Sequence, residues 1–151
     1  MTERDNDFVR ELVRQIFKLD DALKATANAI TRPAGQSGAR WQVLNALADE
    51  PRTVAEIARL KNASRQGVQR IINELHSEQI VQSKVNPKHQ RFPLYEMTTS
   101  GRRALRSIEQ LRKKWSAVAL KKIGGEIDPN VMVFLRRFQS AVEEILEEEL
   151  I

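Results

Sequence analysis

The sequence predicts a mainly α protein with a small β-wing, in which a winged helix-turn-helix core is flanked by long N- and C-terminal dimerisation helices. Apolar residues recur every three or four positions over most of the 151 residues, which is typical of amphipathic helices. In the middle of the chain, two short helical segments precede two β-rich segments that are separated by a polar, basic loop. A short helix, a turn, a second short helix and then a hairpin is the element order of this fold class.

The chain begins with two predicted helices. The first covers about residues 7–30, and its apolar positions are Phe8, Leu12, Ile16, Leu19, Leu23 and Ala27. Residues 33–38, with one proline and two glycines, end it. Ser37 is placed to cap the second helix, which Pro51 stops. The inward-facing residues of the second helix are predicted to be Val43, Leu44 and Leu47.

The helix-turn-helix begins at "TVAE", which indicates a capping box between Thr53 and Glu56. The apolar residues of this third helix are Ile57, Ala58 and Leu60. It is predicted to end near Asn62, and Ser64 then caps a fourth helix after a turn of about three residues. The fourth helix carries one apolar stripe, made of Val68, Ile71, Ile72 and Leu75.

The outward face of the fourth helix carries amides and arginines, where a surface helix usually favours pairs of Glu and Lys. These residues are Gln66, Gln69, Arg70 and Asn73, with Arg65 at the border. Gln and Asn can form two hydrogen bonds with an adenine edge, and Arg can do the same with guanine. Ser64, Arg65 and Gln66 lie at the helix N-terminus, where backbone amides favour a phosphate. We therefore predict a recognition helix that enters a DNA major groove.

The wing is predicted from "IVQSKV" and "LYEMTT", two β-rich segments joined by "NPKHQRFP". Lys88 and Arg91 in this loop are expected to reach a flanking minor groove. Thr98 or Thr99 then caps a long helix that extends to about Ile123. Its stripe is Ala104, Leu105, Ile108, Leu111 and Trp115.

A last helix is predicted to follow the glycine pair at residues 124–125, with Asp128 as its cap and Pro129 at its first position. It extends to about Leu150, and its apolar stripe is Val131, Phe134, Leu135, Phe138, Val142, Ile145 and Leu146. The winged-helix core is too small to cover both this helix and the first one. We therefore predict a homodimer, with packing inside one chain as the alternative.

Charge is unevenly distributed along the chain. Residues 52–115 hold 14 Lys and Arg against 5 Asp and Glu, whereas residues 126–151 hold 2 against 7. A basic middle with neutral or acidic ends indicates a polyanionic partner that meets one region only. Solvated helix faces are the alternative explanation of the same charges.

The chain resembles the MarR family of winged helix-turn-helix transcriptional regulators over nearly its full length. The resemblance is strongest in "VLNALADEPRTVAEIARLKNASRQGVQRIINELHSEQIV" and "YEMTTSGRRAL". It implies an obligate homodimer that binds a palindromic operator in double-stranded DNA, usually to repress. It also implies a small aromatic or anionic effector between the dimerisation helices and the DNA-binding lobe, for which Phe17, Trp41 and Trp115 are the lining residues we select.

Two positions depart from the family pattern. Its wing tip commonly follows D-x-R-D-x-R, and here the four key positions hold Asn86, Lys88, His89 and Arg91. Both acids that would orient the cations are replaced in this chain. Gln79 also stands where the family usually ends its recognition helix with Gly, and we expect the fold to accommodate it.

Other classes of function find little support. The two histidines, His76 and His89, lie near no nucleophile and orienting acid at a readable spacing, so we predict no enzyme, no cofactor and no metal. No cysteine, signal peptide or membrane-spanning run is present, and a cytoplasmic location is expected.

We assign residues 36–99 to the DNA-binding lobe, and 1–35 with 100–151 to one intertwined dimerisation region. The alternatives are a winged-helix dimer that binds RNA or a protein without duplex specificity, and an interaction-only dimer.

Overall fold

The computed structural model describes residues 3–125 and 128–148, and this part contains six α-helices and one two-stranded sheet. The elements in chain order are α1 (Glu3–Thr31), α2 (Gly38–Ala46), α3 (Val54–Lys61), α4 (Arg65–Ser77), β1 (Val81–Lys84), β2 (Leu94–Met97), α5 (Thr99–Ile123) and α6 (Asn130–Glu147). The mainly α class with a small β-wing is therefore confirmed. No helix in the described ranges is both long and apolar enough to cross a membrane.

The chain forms two compact units, residues 1–115 and residues 116–151. The first unit contains α1 to β2 and most of α5, and the second contains the end of α5 and α6. The predicted assignment of residues 36–99 to DNA binding concerns function and stays a prediction.

The core of the first unit is formed by the apolar faces of α2, α3 and α4 and the inward residues of the sheet. Its buried members include Val43, Leu44, Leu47, Ile57, Ala58, Val68, Ile72, Leu75, Val81 and Met97. Leu60, the third apolar residue of α3, is 54% exposed and does not belong to this core. Ile57 and Ala58 fix the buried face of α3, and Leu60 lies roughly 110° around the helix from their midpoint.

The predicted helix caps are confirmed at three N-termini. The Ser37 hydroxyl accepts from the Arg40 amide at 3.2 Å, and the Ser64 hydroxyl accepts from the Gly67 amide at 3.0 Å. Thr53 and Glu56 form the full capping box: Glu56 N donates to Thr53 Oγ1 at 3.2 Å, and Thr53 N donates to Glu56 Oε2 at 2.7 Å. These bonds satisfy amides that a helix start otherwise leaves without a partner.

Both helices of the helix-turn-helix end in a left-handed residue that is not glycine. Asn62 has φ 48° after α3, and Gln79 has φ 58° after α4. After α4, Gln79 N donates to His76 O and Ile80 N donates to Leu75 O, which is the Schellman arrangement. The expectation that the fold accommodates Gln79 at this position is confirmed.

The wing contains more backbone pairing than the sequence predicted. β1 and β2 are antiparallel, with Val81 opposite Met97 and Lys84 opposite Leu94. In addition, Arg52 pairs with Tyr95 through two backbone hydrogen bonds of 3.0 and 2.8 Å. A single paired residue leaves no alternating pattern in the sequence, so this link between the start of α3 and the wing was not predicted.

The bounds of the terminal helices agree with the sequence to within a few residues. The Thr98 hydroxyl accepts from Gly101 N at 3.2 Å at the start of α5, and Gly124 and Gly125 have positive φ just after its end. The prediction that α6 starts at Pro129 is corrected to Asn130. The Asp128 carboxylate accepts from Asn130 N at 2.9 Å, which is the bond expected from Asp128 as the cap. The predicted end near residue 150 lies outside the described residues.

Candidate nucleic-acid interface

The first turn of α4 presents one cationic and one amide side chain to solvent, next to an N-terminus that is capped by Ser64. Ser64 holds the Gly67 amide, and Arg65 and Gln66 are exposed next to it. A capped helix start keeps its remaining amides aimed outward, where they attract an anion. Ser64 thus acts structurally in the cap, and its hydroxyl hydrogen stays available to a phosphate.

The middle of α4 carries a paired set of amides. Gln69 Nε2 donates to Asn73 Oδ1 at 2.9 Å across one helical turn, and Arg70 is exposed beside them. This bond fixes the two side chains relative to each other. Gln69 Oε1 and the Asn73 amide hydrogens have no partner among the residues that the structure describes. An acceptor next to a donor is the pattern that an adenine edge requires.

The wing loop is held together by Asn86, which is only 6% exposed. Its Nδ2 donates to Phe92 O at 2.9 Å, and its Oδ1 accepts from Lys88 N at 3.0 Å. Phe92 N also donates to His89 O at 3.1 Å, and the rings of these two residues form an edge contact. The loop is therefore ordered by one amide side chain in place of the acids that the family commonly uses.

Three predicted DNA-binding residues line one groove between α4 and the wing. Arg65 and Gln69 form one side, and Arg91 forms the other together with Phe92 and Tyr95. Of the remaining predicted residues, those on α4 lie on its exposed face and Lys88 is exposed in the wing loop; they are Gln66, Arg70, Asn73 and Lys88.

The cations of this surface have no acidic partners in residues 3–125 and 128–148. Seven ion pairs are present among the described residues, and none of them includes Arg65, Arg70, Lys88 or Arg91. By contrast, Arg40, Arg52 and Arg112 each lie within 3 Å of a Glu carboxylate. Four positive charges without carboxylate neighbours produce a surface that favours a polyanion.

Two site features were missed or misjudged from the sequence. The structural role of Asn86 was not recognised, although Asn before Pro87 is a signal for a side-chain turn. Phe92, which is 63% exposed and lines the groove, was not singled out from the sequence. Only the folded loop brings Phe92 beside Arg65 and Gln69.

The three residues selected for an effector pocket are placed differently from one another. Phe17 on α1 is 67% exposed, and Trp115 on α5 is 40% exposed. Trp41 on α2 is half-buried, and its buried indole Nε1 has no hydrogen-bond partner in the described ranges. The effector pocket stays a prediction.

Within the described ranges, no group of three or more His, Asp and Glu side chains is arranged to hold a metal ion.

Comparison with known proteins gives the family. The model described as the HVO_A0261 N-terminal domain matches residues 29–119, which cover α2 to β2 and most of α5. The chain belongs to this family. Two mycobacterial relatives, Mb2034c of Mycobacterium bovis and Rv2011c of Mycobacterium tuberculosis, are each 32% identical to it over 124 residues, covering 82% of this chain and 84% of theirs.

Solved structures show that the fold is the MarR-like winged helix. A MarR family transcription regulator is similar with a TM-score of 0.75 at 18% identity, covering 96% of this chain and 94% of its own. The regulator BldR of Sulfolobus solfataricus is similar with a TM-score of 0.74 at 18% identity, and the match covers 96% of this chain and 100% of BldR. A variant of Escherichia coli MarR in complex with operator DNA is similar with a TM-score of 0.74 at 20% identity, and the match covers 90% of this chain and 96% of that one.

Proposed function

We propose that the protein is a dimeric, sequence-specific regulator of transcription that binds double-stranded DNA, acts in the cytoplasm and represses a palindromic operator. Residues 36–99 form the DNA-binding lobe of each protomer, and the helical region of residues 1–35 and 100–151 forms the dimer. The recognition helix α4 lies in a major groove and the wing reaches the neighbouring minor groove.

One observation carries this proposal. The outward face of α4 and the wing loop present hydrogen-bonding amides together with cations that form no ion pair with any carboxylate that the structure describes. Cations alone would bind phosphate without regard to sequence, whereas the Gln69–Asn73 pair can distinguish base edges. The combination supports sequence-specific binding over simple charge attraction.

Exposed apolar residues support the homodimer. On α1, Phe8, Phe17 and Leu19 are each more than half exposed. On α6, seven apolar residues of one stripe include six that are exposed: Val131, Phe134, Leu135, Val142, Ile145 and Leu146. Apolar surfaces of this extent are normally covered by another chain, and a second copy of this chain is the partner we propose.

An effector, if it follows the family pattern, is a small aromatic or anionic molecule near Phe17, Trp41 and Trp115. The protein has one conformation that binds DNA and another that does not. Such a molecule releases the operator only if its affinity for the second conformation is higher than its affinity for the first. Its test is the operator affinity at increasing concentrations of a simple probe such as salicylate. An unchanged affinity would remove this part of the proposal.

The proposal is tested by selecting from a randomised duplex library at near-physiological salt and sequencing the retained DNA. Enrichment of one inverted repeat, with half-site centres about one helical turn apart, is the expected result. Retention without enrichment would contradict sequence-specific binding. The alternative, a winged-helix dimer that binds RNA or a protein, would then be tested with single-stranded RNA at the same salt concentration.

A further inference from the structure

A groove of about 510 Å³ lies between the start of α4 and the base of the wing. Arg65 and Gln69 line it on the α4 side, and Arg91, Phe92 and Tyr95 line it on the wing side. In a duplex, one sugar–phosphate strand separates a major groove from the neighbouring minor groove. If α4 enters one groove and the wing enters the other, the surface between them faces that strand.

We propose that this groove binds one deoxyribose–phosphate strand of a DNA duplex, and that Phe92 is a DNA-contact residue that packs against the sugars. The inference rests on the proposed function, since it takes α4 and the wing as the two elements that hold the DNA. It adds an apolar contact to an interface that otherwise consists of amides and cations.

The charges in the groove fit a phosphate-bearing strand. Arg65 and Arg91 lie on its opposite sides, and neither forms an ion pair within the described part of the chain. A strand between them would place phosphates within reach of both guanidinium groups. Contacts of this kind set the position of a protein on the duplex without reading its sequence.

Phe92 fits the sugar face of such a strand. Phe92 is 63% exposed, and the groove around it is lined by apolar residues of the start of α3 and of the wing as well as by Arg65, Gln69 and Arg91. An aromatic ring in this position gains from burial when a carbon-rich surface packs on it. Deoxyribose lacks the 2′-hydroxyl of ribose and offers such a surface, so the contact favours DNA over RNA.

The position of Phe92 is fixed before any ligand binds. Its carbonyl accepts from Asn86 Nδ2 at 2.9 Å, and its amide donates to His89 O at 3.1 Å. Asn86 is itself buried, so this arrangement is part of the folded wing. A side chain whose backbone is already ordered loses less conformational entropy on binding.

The test is the affinity of Phe92→Ala for the selected duplex, measured over a range of salt concentrations. We expect affinity to fall about 5- to 20-fold, from the loss of buried apolar area. The slope of log affinity against log salt should not change, because an apolar contact releases no counterion, whereas Arg91→Ala should reduce the slope by about 0.9. Phe92→Leu should recover most of the loss.

Leu60→Ala is the matched control, because Leu60 is also exposed in this lobe and does not line the groove. A photoreactive p-benzoylphenylalanine at position 92 should crosslink to the duplex, and the same group at position 60 should not. This second measurement does not depend on how well Phe92→Ala folds.

Wild-type affinity for Phe92→Ala, a changed salt slope, or no crosslink from position 92 would each overturn the inference. Crosslinking to single-stranded RNA as strong as to duplex DNA would also overturn it. Failure of the proposed function gives a different result: the library selection then enriches no sequence, even with the wild-type protein. In that case the groove is tested on an unselected duplex by the same crosslink.

Discussion

Gln79 shows how a residue with an unfavourable backbone angle is kept in place by its surroundings. Its φ of 58° follows the Schellman end of α4, and its carbonyl accepts from the Thr98 hydroxyl at 2.7 Å. A left-handed angle costs a residue with a side chain about 1–2 kcal/mol. The hydrogen bonds of α4 and Thr98 offset this cost, so the family position can hold Gln.

Replacing Gln79 by Gly should therefore stabilise the protein. We expect the free energy of unfolding to rise by about 0.5–1 kcal/mol, since glycine relieves the strain but loses more backbone entropy on folding. Urea denaturation measures the change. Asn62→Gly is the control, and it should have a smaller effect because Asn tolerates φ 48°. An equal or lower stability of Gln79→Gly would contradict this account.

The capping box at α3 makes stability depend on pH through Glu56. Hydrogen bonds from Thr53, first from its backbone amide, hold the pKa of the Glu56 carboxyl below its ordinary value of about 4.5. Because the folded pKa is lowered, the contribution of Glu56 to stability is present above the unfolded pKa. It is lost as the pH falls through the folded pKa.

Glu56→Gln should accordingly destabilise the protein at pH 7 by about 1 kcal/mol or less. The difference from the wild type should shrink as the pH falls below the ordinary pKa, because protonation then removes the charge from Glu56 as well. Thermal denaturation of both proteins at pH 7 and near pH 3 gives the comparison. A difference that stays constant with pH would show that the charge of Glu56 contributes nothing.

The packing of α5 against the wing depends on one glycine. A Cβ built on Gly101 would lie 2.2 Å from the Ile80 carbonyl oxygen and 3.2 Å from the Met97 Cβ. Since the nearest atom belongs to backbone, a side chain here requires α5 to move away from the end of α4. Gly101 lies in the fragment "YEMTTSGRRAL", and the structure gives the physical reason for a glycine at this position.

Gly101→Ala should lower the free energy of unfolding by about 2–4 kcal/mol through overpacking. Ser100→Ala is the matched control, because Ser100 is exposed in the same turn and its loss should change stability by about 0.5 kcal/mol or less. Chemical denaturation of the two variants tests the difference. Equal stabilities would show that α5 shifts at little cost.

Local signals in the sequence predicted the helices well. Caps such as Thr53 and Ser64, and stripes such as that of Val68 and Ile72, depend on residues within one or two turns of each other. The pairing of Arg52 with Tyr95 joins residues far apart in the chain and leaves no local pattern. For the same reason, the sequence identified the cations and amides of the site but not the groove that brings three of them together.

The dimer prediction follows from the apolar stripe of α6, which is exposed in the described chain. We expect light scattering at micromolar concentration to give about twice the mass of 17.3 kDa. Phe134→Glu should reduce this mass, because a charge at the centre of an apolar interface is costly. Ser140→Glu introduces the same charge on the side of the helix opposite the apolar stripe, so it should leave the mass unchanged. A wild-type monomer would contradict the prediction.

The central claim is that α4 reads the sequence of a DNA duplex. The most direct measurement is the ratio of affinities for the selected duplex and a scrambled duplex, for the wild type, Gln69→Ala and the control Gln110→Ala. Gln69→Ala should lose about 1–3 kcal/mol of this discrimination and Gln110→Ala, an exposed amide on α5, should lose none. Equal discrimination by all three proteins would contradict the claim that Gln69 on α4 reads the bases.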